Sequence, residues 1–148
     1  MRVLDAGFGR GRLTIPLAYK VGTHGSVTAV DMQIQMLERV KHKADVLQLK
    51  NIILNHNGLG NGKLEQSFYD RVLISAVFGE IPNQLKAMQE LFLSLKPGGL
   101  LAIAELIFDP HFQSRSSVTI LANYVGFNEK VFFGNRFAYL IIFEKPIC

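Results

Sequence analysis

Val3 to Leu13 reads VLDAGFGRGRL, an apolar strand ending in an acid, then glycines at 7, 9 and 11, then the start of a helix. Few segments constrain a fold as tightly. A glycine-rich turn between strand and helix lets a ligand approach the main chain closely, because glycine has no Cβ and tolerates positive φ. The opening turn of the helix adds unpaired amide donors. Spacing narrows the ligand. A dinucleotide fingerprint, G-x-G-x-x-G, needs glycine at 12, where this chain has Arg12. Asp5 stands two residues before Gly7, so a carboxylate borders the turn; it repels a diphosphate and attracts a cationic amino group.

Downstream, short apolar runs without strict alternation recur at Arg2 to Asp5, Val27 to Asp31, Ile52 to Asn55, Arg71 to Ser75 and Leu100 to Leu106. Their continuity predicts strands buried on both faces, as in a parallel sheet. Between them lie helical spacings: a first helix over Arg12 to Val21 with Pro16 near its opening, then stripes at Ile34, Leu37, Val40, Ala44 and Leu47, at Leu85, Met88, Leu91, Phe92 and Leu95, and at Val118, Leu121, Ala122 and Val125. Alternating strand and helix define an α/β class with right-handed crossovers. The tail departs from this rhythm. FNEKVFF, GNR and FAYLIIFEK form two strand-like runs joined by a short turn, a hairpin signal that makes the sheet mixed.

Composition sets the outer limits. A chain of 148 residues buries roughly two thirds of its unfolded surface, enough for one core. At 49% hydrophobic and net charge +4 it is not a disordered protein. One cysteine, Cys148, excludes an internal disulfide and a cysteine-rich zinc site, so no metal is expected. The longest apolar run, Gly99 to Phe108, is interrupted by Glu105 and falls short of the roughly 20 residues of a membrane span. The first residues resemble a buried strand more than a leader, and the expectation is a soluble, cytoplasmic protein of one domain, residues 1–148. Residues 1–50 hold eight basic and four acidic side chains, but Arg39, Lys41, Lys43 and Lys50 lack interleaved aromatics, which speaks against nucleic acid.

Asp31 closes the second strand, so its carboxylate lies in the same crevice row as the glycine turn and suits the two hydroxyls of a ribose. Capping of the helix that follows is the competing use.

With these residues in hand, the chain resembles the class I S-adenosylmethionine-dependent methyltransferases, in particular the small-molecule branch that includes ubiquinone and menaquinone biosynthesis enzymes. LDAGFGRG matches the family's acidic-x-Gly-x-Gly-x-Gly motif, and AVDMQIQMLERVKHKA resembles its second strand and helix. FYDRVLISAVFGEIPNQLKAMQELFLSLKPGGLLAIAE is similar to the stretch through the fourth and fifth strands, including a Lys-Pro-Gly-Gly turn at Lys96 to Gly99. Gly126 and Phe127 followed by the hairpin resemble the family's reversed last strand. The resemblance implies a Rossmann-like sheet of about seven strands with helices on both faces. It implies S-adenosylmethionine as cofactor, with S-adenosylhomocysteine as product. Asp5, Ala6, Gly7, Phe8, Gly9 and Gly11 would hold the methionine part, Asp31 the ribose, and Met32 the adenine, with Asn57, Gly58 and Leu59 beside it. Ser75 would meet the methionyl end. Arg10 and Arg12 flank Gly11 and either meet the cofactor carboxylate or stay exposed. Where the family usually has Gly-Asp after its third strand, this chain has Asn57-Gly58, so a carboxylate acceptor for the adenine amino group is replaced by an amide.

Members of the family carry helices before the first strand, whereas this chain starts inside it. The expectation is either a truncated reading of a longer protein or a second subunit, such as a homodimer partner, over the site. Methyl transfer needs a general base only when the acceptor must lose a proton. Glu80, Glu105 and His111, after strands four and five, are the candidates; their other uses are a helix cap, an ion-paired strand end and a surface loop. His24 and His42 are placed away from the site, and His56 near adenine. SAVF after the fourth strand lacks the Pro-Pro-aromatic motif of enzymes that methylate nucleic-acid amines, which leaves a small-molecule acceptor. Two other readings stand: a cofactor-binding module of the same fold without its own activity, and, disfavoured by glycine spacing and hairpin, a nicotinamide-dependent oxidoreductase.

Overall fold

A computed structural model describes residues 1–7 and 12–148. Seven strands form one sheet in the order β3-β2-β1-β4-β5-β7-β6. They are β1 (Arg2–Ala6), β2 (Ser26–Asp31), β3 (Ile52–His56), β4 (Tyr69–Ser75), β5 (Leu95–Leu106), β6 (Asn128–Gly134) and β7 (Ala138–Glu144). The pairs from β3 through β5 are parallel, and β7 runs antiparallel to both β5 and β6. The predicted mixed sheet with a terminal hairpin is therefore the observed one.

Four helices, α1 (Thr14–Val21), α2 (Ile34–Val46), α3 (Gln84–Ser94) and α4 (Arg115–Val125), cover the sheet. On one face, Val3, Val27 and Ala29 pack against Ala18 of α1 and Leu37 and Val40 of α2. On the other, Leu4, Ala6, Val72, Ile74, Leu101 and Ile103 meet Met88 and Leu91 of α3 and Val118 and Ala122 of α4. Phe127, Tyr139, Ile141 and Phe143 complete that larger core. Alternation along each strand assigns its side chains to the two faces in turn.

Several expectations are corrected in detail. Burial on both faces holds for β1 and β2, but β4, β5 and β7 alternate: Leu73, Ala102, Leu140 and Ile142 are only half-buried, because α1 and α2 lie over β1 to β3. The α2 stripe shortens to Leu37, Val40 and Ala44; Ile34 and Leu47, at the helix ends, are each 46% exposed. The first helix begins at Thr14 rather than Arg12, with Pro16 in its first turn, where its missing N–H has no intrahelical partner to lose. Leu95 belongs to β5 rather than α3. Lys96 to Gly99 lie within the bounds of β5 as an excursion: the ladder to β4 jumps from Tyr69↔Leu95 to Arg71↔Leu100, and Gly98 takes φ +79°. α3 starts at Gln84, where the Asn83 side chain accepts the Lys86 N–H at 3.0 Å. Glu80 is therefore not its cap. Among the described residues, no helix is long and apolar enough to cross a membrane.

Candidate active site

The sheet order reverses between β1 and β4, and open α/β sheets bind ligands beside such a switch point, outside the carboxyl ends of the strands. A cavity of about 370 Å³ opens there. Gly7 follows β1; Val30, Asp31, Met32, Gln33 and Met36 come from the end of β2 and the start of α2. Asn57, Gly58 and Leu59 follow β3, and Val77, Glu80, Ile81 and Pro82 follow β4.

Gly7 is required by geometry. Its φ is +63°, its N–H donates to the Val30 carbonyl at 2.7 Å, and a Cβ on it would come 2.6 Å from Val77 Cγ2. The turn and the segment after β4 thus close on each other with no room for a side chain. Asp5, two residues earlier on the α1/α2 face of β1, is 1% exposed, and Thr14 Oγ1 donates to its Oδ2 at 2.6 Å. Burial pushes its pKa up to about 6, offset in part by the Thr14 hydrogen bond and raised further by the negative charge of Asp31.

Asp31 serves the main chain with one oxygen: Oδ1 accepts the Gln33 N–H at 2.8 Å, the turn that leads into α2. Its other oxygen has no hydrogen-bond partner among the described residues. Met32 is 65% exposed and lies against Gly58, where a Cβ would meet its Sδ at 3.0 Å. The Met32 carbonyl is 2.6 Å from His56 Nε2, which braces the end of β2 against that of β3, and within the β3 end Asn57 Nδ2 donates to Asn55 Oδ1.

The structure thus gathers Gly7, Asp31, Met32, Asn57, Gly58 and Leu59 around one cavity. Asp5 and Ala6 are buried in β1 beneath it, and Ser75 closes β4 opposite Ala104 without lining it. Phe8, Gly9, Arg10 and Gly11 lie outside the described residues, and Arg12 is exposed. Sequence reasoning missed Val77, Ile81 and Pro82, which reach the cavity only because the chain doubles back after β4 through a short 3-10 turn, Phe78–Glu80.

The three candidate bases separate. Glu80 lines the cavity. His111 is exposed in the loop after β5, its N–H donating to Asp109 Oδ1 at 2.7 Å. That loop touches the cavity segment from behind: a Cβ on Gly79 would fall 1.8 Å from the His111 carbonyl oxygen. Glu105 is 1% exposed and, among the described residues, has no hydrogen-bond partner within 3.5 Å on either carboxylate oxygen and no ion pair, so it is not the ion-paired strand end considered above. Burial pushes its pKa up to about 7; the nearby Gln113 backbone amide offsets part of this, and Asp109 adds to it. Its cross-strand neighbour Tyr139 donates to the Gln113 carbonyl at 2.6 Å, and burial and Glu105 hold the Tyr139 phenol above its usual pKa.

A seven-stranded sheet with this order, a reversed strand next to its edge and a crevice at the switch point define the class I methyltransferase fold. The solved structures agree: a SAM-dependent methyltransferase from Aquifex aeolicus superposes with TM-score 0.89 at 24% identity, over 97% of this chain and 81% of that one. The [4+2]-cyclase SpnF superposes with TM-score 0.88 at 12% identity, so the fold alone does not fix the reaction. Residues 1–129 match the family model described as "Methyltransferase domain", and the chain belongs to that family. Among curated relatives, the demethylmenaquinone methyltransferase of Staphylococcus haemolyticus is 36% identical over 104 residues, 70% of this chain and 43% of that protein. The enzyme of that name from Bacillus cereus (strain ATCC 10987 / NRS 248) is 33% identical over 98 residues, 66% and 41% respectively. The chain therefore spans less than half the length of these relatives.

Proposed function

We propose that residues 1–148 form a methyltransferase domain that binds S-adenosylmethionine at the β1/β2/β3 crevice and methylates a small-molecule acceptor. The observation that carries this reading is the charge of the crevice. Asp31 and Glu80 line it and Asp5 lies under it, three carboxylates around Gly7. Such a site opposes a diphosphate and favours a ligand with an ammonium and a sulfonium.

In this reading Asp31 holds the ribose hydroxyls with the oxygen that the Gln33 amide does not use. Met32, Gly58 and Leu59 sandwich the adenine, and Asn57 offers an amide oxygen to the adenine amino group. Asp5 and the Gly7 turn face the methionine end. When bound, S-adenosylmethionine would supply an electrophilic methyl group that passes in line to the acceptor's nucleophile, with S-adenosylhomocysteine as the leaving group. The chain's own contribution is to align the acceptor and exclude water, and alignment of this kind lowers a barrier by roughly 7 to 11 kcal/mol. Where the acceptor carries a proton that must leave, Glu80 is the carboxylate at the cavity wall that takes it. The relatives named for demethylmenaquinone favour an aromatic, quinone-class acceptor.

Calorimetric titration with S-adenosylmethionine, S-adenosylhomocysteine and NAD tests the reading. Saturable heat is expected with the two adenosyl ligands and none with NAD; heat with NAD alone overturns it.

A further inference from the structure

We infer that Glu90, a residue of α3 that does not line the cavity, is a positioning residue that sets the adenine-side wall of the site through three backbone amides. This rests on the cofactor reading above. Glu90 is 8% exposed, one of few charged side chains buried in the protein. Its Oε2 accepts the Gly60 N–H, and its Oε1 accepts Lys63 N–H at 2.8 Å and Leu64 N–H at 3.0 Å. None of the salt bridges formed among the described residues includes it, so main-chain dipoles alone neutralise its charge.

The clamped segment needs such an anchor. Residues 57–68 connect β3 to β4 with no helix or strand of their own. The segment's apolar side chains Leu59, Leu64 and Phe68 pack on the large core, and the Glu90 carboxylate ties down the main chain of Gly60, Lys63 and Leu64. Gly60 and Gly62 take φ +91° and +70°, left-handed geometries within the segment that wraps the carboxylate. Gly60 is also pressed on α3, where a Cβ would stand 3.3 Å from Ala87 N. Directly before it, Leu59 both lines the cavity and packs on the large core, and Gly58 sits against Met32. One bond length of chain thus separates the Glu90 clamp from the residues that would enclose adenine.

Glu90→Gln isolates the effect. A glutamine keeps one oxygen for the Lys63 and Leu64 amides and turns an NH₂ donor toward the Gly60 N–H, so the bond next to the cavity is lost. Two probes are titrated into the wild-type chain and the variant: S-adenosylhomocysteine, and 5′-methylthioadenosine, which lacks the amino-acid half. Backbone hydrogen exchange is followed in parallel. We expect affinity for both probes to fall by about 5- to 30-fold, to the same degree, with faster exchange confined to residues 58–64. Equal losses on both probes place the effect on the adenosine half. Gly60→Ala, which unseats the same contact from the loop side, should reproduce the pattern and carries the test if Glu90→Gln does not fold. Affinities within twofold of wild type, or exchange that quickens throughout the sheet, overturn the inference. If the wild-type chain binds neither probe, the cofactor reading itself fails and this inference with it; if only the variants' losses are missing, the cofactor reading stands.

Discussion

Thr14 Oγ1 donates a 2.6 Å hydrogen bond to Asp5 Oδ2, tying the first turn of α1 to the end of β1. Both residues are buried, and α1 begins without a side-chain cap because its N-cap residue, Leu13, offers no acceptor. Replacing Thr14 by valine keeps the shape and leaves the carboxylate without its donor. The expected loss is about 1 to 3 kcal/mol of folding stability, read from the urea midpoint. An unchanged midpoint would show that water replaces the hydroxyl.

The pH dependence has a definite sign. Asp5 and Glu105 have folded pKa values of about 6 and about 7, above their ordinary values of 3.8 and 4.5. Between the ordinary and folded values the native state holds more protons than the unfolded chain, so stability falls as pH rises. Asp70, held below its ordinary value by the Arg2 amide and Lys96, acts only at lower pH. The urea midpoint should therefore decline from about pH 4 to about pH 7, and Glu105→Gln should flatten the upper part of that decline. A midpoint that climbs over this interval contradicts the assignment.

Asp31 has two roles that two variants separate. Asp31→Asn keeps an oxygen for the Gln33 amide, whereas Asp31→Ala removes it. If the carboxylate holds a ribose, both variants weaken S-adenosylhomocysteine by about 1 to 3 kcal/mol, and only the alanine variant also lowers thermal stability. Unchanged affinity in both would confine Asp31 to the turn before α2.

Gly7 and Val77 form a steric pair. Gly7→Ala meets both a positive φ and a contact of 2.6 Å, and should cost about 2 to 4 kcal/mol of stability. Trimming the neighbour in Val77→Ala should recover part of this in the double variant, with a coupling energy of roughly 1 to 2 kcal/mol. Strict additivity in chemical denaturation would remove the pair from the closure of the crevice.

Much of the fold was legible in the chain. The strand cores, the order of helices and the terminal hairpin follow from apolar spacing and turn residues, which act over a few positions. Gly7 and Asp31 were legible for a related reason: they sit at strand ends, and in a parallel sheet those ends share one rim, whereas Met32, Asn57, Gly58 and Leu59 came from the family resemblance. Glu105 shows where this stops. Its place at the end of β5 suggested a base near the crevice, but pleat alternation turns it into the α3/α4 core, beside Tyr139.

The sequence by itself determined an α/β sheet with a glycine turn facing two acidic strand ends, because periodicity and glycine placement are local properties. Only the tertiary structure decided that Val77 seals Gly7, that Gly79 packs on the His111 carbonyl, and that Glu90 gathers the amides of Gly60, Lys63 and Leu64. Each of these joins segments 26 to 70 positions apart, and such pairings exist only once the crossovers have set which elements meet.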